Sequence, residues 1–133
     1  MIVVDSSVWI ASLRRQASRA VLRLQAAVEN EDDQILVGDL ILLEVLQGAR
    51  DDAHAARIER NLRNFPIVSM LDETIAVRAA RNHRRLRARG ITVRRTIDMI
   101  IGTFCLAGGH ALLHDDRDFD PLATHLGLQV VST

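Results

Sequence analysis

Ile2-Val3-Val4-Asp5-Ser6-Ser7-Val8-Trp9-Ile10 opens with three β-branched residues, meets a lone acid and passes through two hydroxyls into an apolar stretch with helical spacing. A short apolar run with no alternation fits a strand covered on both faces, and Ser6 or Ser7 can cap the helix carrying Trp9, Ile10 and Leu13. Asp5 then stands at the carboxyl end of a strand. The same unit recurs along the chain, which is what sets the fold class. Gln34 to Val37 reads as a strand, and Gly38-Asp39 starts a helix through Leu40 to Ala49 with Glu44 in its middle. Ile67 to Ser69 follows Phe65-Pro66 as a third strand, Ala111 to Leu113 is a fourth, and Leu128 to Val131 is expected to close the set.

Between these runs, Ser18, Asp51, Asp72 and Thr96 are expected as caps of further helices. The helix after Ser18 closes in the polar turn Glu29 to Asp33, and the one after Asp72 is stopped by Gly90. Thr96 precedes Ile97 to Leu106, which ends at Gly108-Gly109, and Pro121 to Leu126 is a short helical turn. Asp39 reads as another cap, and Asp120 as the cap of the turn at Pro121. Short apolar strands separated by helices predict an α/β fold with a parallel sheet covered on both faces.

The 133 residues fit one domain, 1–133, with enough apolar side chains for a well-filled core. No leader or membrane span is expected, because no apolar run approaches the roughly 18 residues a span needs, and a cytoplasmic location follows as the expectation. The lone Cys105 excludes an internal disulfide and reads as a small buried hydrophobe. Seventeen acids balance seventeen bases, so bulk charge does not announce a nucleic-acid binder. Every base is arginine, and eight lie between Arg78 and Arg95. That run reads first as a solvated helix face, with a phosphate-contacting face as the alternative. Trp9 reads as core or subunit interface, and the five histidines have no spacing that demands a transition metal.

The acids in apolar settings carry the chemistry. Asp5 ends Ile2-Val3-Val4, Glu44 sits among Leu40-Ile41-Leu42-Leu43, Asp98 precedes Met99-Ile100-Ile101, and Asp116 and Asp118 follow Ala111-Leu112-Leu113. A carboxylate in such a place is costly unless neutralised, and clustered carboxylates recruit a hard divalent cation, Mg²⁺ or Mn²⁺. Ligands of parallel sheets gather at strand carboxyl ends, where Asp5 and the Asp116 region both fall. The chemistry that follows is metal-assisted phosphodiester hydrolysis. An EF-hand loop starting at Asp116 is rejected, because its sixth position is Pro121 and its twelfth Gly127. A receiver domain is set aside for want of a lysine.

Four motifs in order, Val4-Asp5-Ser6-Ser7-Val8-Trp9-Ile10, Leu43-Glu44-Val45, Thr96-Ile97-Asp98-Met99-Ile100-Ile101 and Leu112-Leu113-His114-Asp115-Asp116-Arg117-Asp118-Phe119, resemble the PIN-domain ribonucleases, specifically the VapC toxins of VapBC toxin-antitoxin modules. The resemblance covers almost the whole chain. It implies a PIN-like three-layer α/β/α sandwich with a central parallel sheet. It further implies catalytic roles for Asp5, Glu44, Asp98 and Asp116, with Asp5, Asp98, Asp116 and Asp118 as metal ligands. Ser6 or Ser7 matches the hydroxyl that orients ligands, His114 departs from the usual Thr or Ser, and Asp115 is a surplus acid. Among Asp115, Asp116 and Asp118, Asp116 ranks first. The implied cofactor is Mg²⁺, with Mn²⁺ as substitute. The implied partners are a VapB-type antitoxin, an RNA substrate with tRNA ranking first, and a second copy in a homodimer. The competing expectation is a non-catalytic metal- or partner-binding domain of the same fold.

Overall fold

Three of the four observed strands hold side chains that are almost all buried, as unalternating apolar runs require. A computed structural model describes residues 1–133, with β1 at Ile2–Val4, β2 at Ile35–Gly38, β3 at Ile67–Val68 and β4 at Ala111–Leu113. All pairings are parallel, in the order β3-β2-β1-β4. The register places Val3 beside Leu36 on one side and Leu112 on the other. Seven helices separate and flank the strands: α1 Ser6–Leu13, α2 Arg19–Glu29, α3 Asp39–Gln47, α4 Asp52–Leu62, α5 Glu73–Ala88, α6 Thr96–Gly108 and α7 Asp120–Leu126. One continuous apolar cluster joins the sheet to these helices, with Val3, Val37, Ile41, Ile101, Leu112, Leu113 and Phe119 fully enclosed. The expected α/β/α sandwich with a parallel sheet is the observed one.

Strand order fixes where the chemistry can sit. From β1 the chain moves to β2 and β3 on one side, then returns to place β4 on the other side of β1. The carboxyl ends of β1 and β4 therefore flank the point where the winding reverses, the usual location of a crevice in an open parallel sheet. Asp5 follows one strand directly, and Asp116 lies three residues beyond the other.

Local signals account for most boundaries. Ser18 accepts from the Val21 amide, Asp51 from His54 and Asp72 from Ile75, so the three expected caps satisfy helix-end donors. Gly90 follows α5 with φ 78°, a conformation that side chains with a Cβ resist. Five expectations fail. α1 is capped by Asp5, which reaches the Ser7 amide first, so neither serine is the cap. Thr96 and Asp120 are the opening residues of α6 and α7, after Arg95 and Phe119, and neither end has a side-chain cap bond. Asp39 likewise lies inside α3, after Gly38, and its Oδ1 accepts from the Met70 amide at 3.1 Å, tying the segment after β3 to the start of α3. The closing strand over Leu128–Val131 is reduced to one parallel bridge, Leu112 to Val130, because Leu128 turns into the core while Val130 stays exposed with nothing covering it.

Gly102 sets the distance between α6 and α7. A Cβ there would overlap Leu122, which is itself fully buried, so only hydrogen permits this approach. Because α7 continues directly from the short 3-10 turn Arg117–Phe119, the contact also fixes how closely the acids after β4 approach Asp98 on α6.

Candidate metal and active site

Asp5 is 3% exposed, and its place follows from two local demands, the end of a buried strand and the open amides of α1. Ser7 supplies both bonds to Oδ2, from its amide at 3.1 Å and its hydroxyl at 2.6 Å. Burial raises the Asp5 pKa; the Ser7 bonds oppose the shift and the Glu44 charge adds to it. The Ser7 hydroxyl also accepts from the Asp115 amide at 3.2 Å, which stitches the β1 end to the β4 loop. Ser6 turns the other way and donates to Glu44 Oε1 at 3.1 Å. Both serines therefore hold acids.

Asp98 lies in the first turn of α6, where the helix dipole favours a carboxylate, yet it is 2% exposed and its Oδ2 has no hydrogen-bond partner. Burial pushes its pKa up to about 6; Arg95 opposes this, while Asp5, Asp116 and Glu44 add to it. Arg95 is hydrogen-bonded to Glu44 Oε2, whose side chain is only 13% exposed. The Arg95 pKa is correspondingly raised: burial pulls it down, but Glu44, Asp98 and Asp5 hold the proton more strongly.

The β4 loop supplies the remaining acids. Asp116 caps the 3-10 turn by accepting from the Asp118 amide at 2.9 Å, and its own amide donates to His114 Nδ1 at 3.1 Å. His114 packs on Phe119, which is fully buried, so the loop is pinned to the core beneath it. Arg94 reaches Asp118 Oδ2 at 3.3 Å.

One oxygen from each of Asp98, Asp116 and Asp118 lies within 4.8 Å of the others. An all-carboxylate donor set of this kind suits a hard divalent ion such as Mg²⁺ or Mn²⁺, and the unpartnered Asp98 oxygen is the atom such an ion would satisfy. The residues fit a metal. Asp5 and Glu44 stand outside this triad, close enough to raise the Asp98 pKa but engaged by Ser7 and by Ser6 and Arg95. Asp115 is exposed and contributes only its amide.

Arg94 and Arg95 were legible in the sequence only as the end of the arginine run. Their signal is position: they stand beyond Gly90, off the helix that carries five of the other six and ends at the sixth, Arg89, and immediately before the helix bearing Asp98. The bland readings of other residues hold. Trp9 is buried against Phe65, and burial, with a contribution from Asp5, pushes the Cys105 thiol up to about 12.

The PIN domain family matches residues 2–124. The chain is 32% identical over 133 residues to the VapC ribonuclease Mb1587 of Mycobacterium bovis, covering 99% of this chain and 98% of that protein. Among solved structures, VapBC2 from Rickettsia felis bound to a DNA fragment from its promoter aligns with TM-score 0.77 and 12% identity, covering 98% of each chain. VapBC-1 from nontypeable Haemophilus influenzae aligns with TM-score 0.75 and 17% identity, over 99% of this chain and 98% of that one. At such identities these structures establish the fold alone, while the sequence match carries the relationship. With its parallel sheet, its acids at the β1/β4 crevice and these matches over nearly its whole length, the chain belongs to the PIN-domain family, in its VapC branch.

Proposed function

We propose that this chain is the toxin of a toxin-antitoxin pair, an endoribonuclease that hydrolyses RNA phosphodiester bonds with Mg²⁺, or Mn²⁺ in its place, and acts first on tRNA. The VapC relationship supports the nuclease and toxin assignment, and the VapBC complexes among its structural neighbours support a VapB-type antitoxin as partner. A homodimer and a cytoplasmic location complete the reading. The single observation that carries the mechanism is the Asp98, Asp116 and Asp118 triad with its buried, unpartnered Asp98 oxygen.

Asp98, Asp116 and Asp118 are the residues that would hold the ion, with Asp5 at the edge of the set. A divalent ion held there supplies Lewis-acid activation of water and charge stabilisation at the phosphate. The chain's own residues prepare that site. Ser7 fixes the Asp5 carboxylate by two bonds on one oxygen, and Ser6 and Arg95 fix Glu44. Arg94 and Arg95 are the cations paired with these acids, and their planar forks are suited to holding the phosphates that flank the one being cut. Burial of Asp5 and Asp98 keeps competing water from the ligand face.

The test is cleavage of an RNA pool containing tRNA with Mg²⁺, with excess EDTA, and with Asp98→Asn. Cleavage is expected only for the wild type with the metal. Undiminished cutting with chelator or in the variant would sink the carboxylate mechanism, and a clean wild type that cuts no RNA would leave the non-catalytic partner-binding reading in its place.

A further inference from the structure

The acid site gathers negative charge, yet the chain is neutral overall, so compensating arginines must concentrate elsewhere. Four of the seventeen arginines form one strip. Arg78, Arg81, Arg85 and Arg89 recur at helical spacing along α5, spanning about 16 Å of its length. They border a groove of about 780 Å³ between α5, the carboxyl half of α6 and α7. No carboxylate lines this groove, and none of the four arginines is in a salt bridge. All four are exposed. Arg94 and Arg95, by contrast, each have an acid partner. A solvated helix face of ordinary kind interleaves both signs, whereas the charged side chains that line this groove are all arginines, the one acid near them being Glu73 on the far side of Arg78 and Arg81.

The groove floor is mixed. Leu106 and Leu126 give it an apolar surface, and Asn82 donates to Thr103 Oγ1 at 3.1 Å across the α5–α6 contact. Thr103 and Asp98 stand five residues apart on α6, on different faces of it, so the groove and the acid site are joined through one helix. Four unpaired guanidiniums in a row, with apolar surface between them, match a repeating phosphate with a flat apolar group attached to each unit.

We propose that this groove is the track for the RNA backbone on one side of the cut, with Arg78, Arg81, Arg85 and Arg89 contacting successive phosphates. The proposal rests on the ribonuclease reading and extends it from the cleaved phosphate to the polymer. It explains how a neutral protein with an acidic active site engages a polyanion: affinity is supplied away from the chemistry.

The experiment measures tRNA cleavage by the full chain over a range of salt concentrations. Arg81→Gln with Arg85→Gln is compared with wild type and with a charge-matched control, Arg84→Gln with Arg87→Gln, from outside the groove on the same helix. For the groove pair, KM for tRNA is expected to rise on the order of tenfold, with kcat retained, and the salt slope of log KM to fall by about two. The control pair is expected to leave both near wild type, and circular dichroism to be the same for all three. Equal effects of the two pairs, or no effect of the groove pair, would overturn the track. So would loss of binding to a polyglutamate probe with tRNA unaffected, which would assign the groove to an acidic protein segment. Failure of the nuclease reading shows differently, as a wild type that cuts no RNA, and filter binding of tRNA to the same variants then still decides the groove.

Discussion

Two charged regions of the α5–α6 hairpin are built on opposite logic. Around Asp98 the carboxylates are buried or half-buried, crowd one another and draw in Arg94 and Arg95 as partners. Along α5 the arginines are exposed, stand a helical turn apart and form no salt bridge. Crowded buried charge is unstable by itself and becomes favourable only when a ligand of opposite sign arrives, which is a device for holding an ion tightly at one place. Spaced, solvated charge costs the fold almost nothing and attracts a polymer at many points with weak individual contacts. The difference teaches that specificity of chemistry and affinity for substrate are supplied by separate surfaces.

The strongest way to break this contrast is Asp98→Asn. Cleavage is expected to fall by about 10³-fold in a quenched RNA assay, because the amide is a poor ligand for a hard cation. The melting temperature of the metal-free protein at pH 7 is expected to rise, since an ionised group that is buried without a partner is removed. A lower melting temperature together with normal activity would mean that Asp98 is structural.

Next in size is the response to pH. The Asp98 pKa is raised from 3.8 to about 6, so between those values the folded chain binds more protons than the unfolded one. Stability of the metal-free protein is then expected to decline as pH rises from about 4 to about 6, and to stay lower above it. Thermal melts across that range, with and without Mg²⁺, check this: the metal should flatten the decline, and Asp98→Asn should remove most of it. Melts that rise with pH over the same interval would contradict the raised value.

Ser7→Ala should be milder. It deletes the 2.6 Å hydroxyl bond to Asp5 and the acceptor for the Asp115 amide, leaving the backbone bond in place. A loss of about 1–2 kcal/mol in urea unfolding and roughly tenfold in kcat is expected, with Ser7→Thr recovering part of the rate. Smallest is Arg94→Gln, at a side chain that is 80% exposed. Its unfolding free energy should stay within about 0.5 kcal/mol of wild type, while KM for RNA rises a few-fold. A large stability loss there would show that the rim arginines hold the acids together before any cation does.

Much of this was legible before folding. Asp5, Glu44 and Asp98 stand out because each interrupts apolar sequence, and an acid that must be buried announces a need for a partner. Ser18, Asp51 and Asp72 announced helix starts because capping is a bond between near neighbours. Asp39 misled for the converse reason. A carboxylate near a helix start is free to turn elsewhere when the tertiary structure offers another donor, and Met70, distant in sequence, offered one to Asp39. The choice among Asp115, Asp116 and Asp118 was open in sequence. It depends on which way a 3-10 turn rotates adjacent side chains, and on the Phe119 anchor beneath it.

By itself, the sequence determined the α/β class, the parallel sheet, the helix starts at Ser18, Asp51 and Asp72 and which acids needed neutralising, because periodicity, capping and burial cost act over a few residues. Only the tertiary structure decided that β4 returns beside β1, that Gly102 brings α7 close to α6, and that Arg94 and Arg95 turn to the acids while the α5 arginines face an empty groove. Those are distances between segments far apart in the chain, and they are set by packing, which no local pattern encodes.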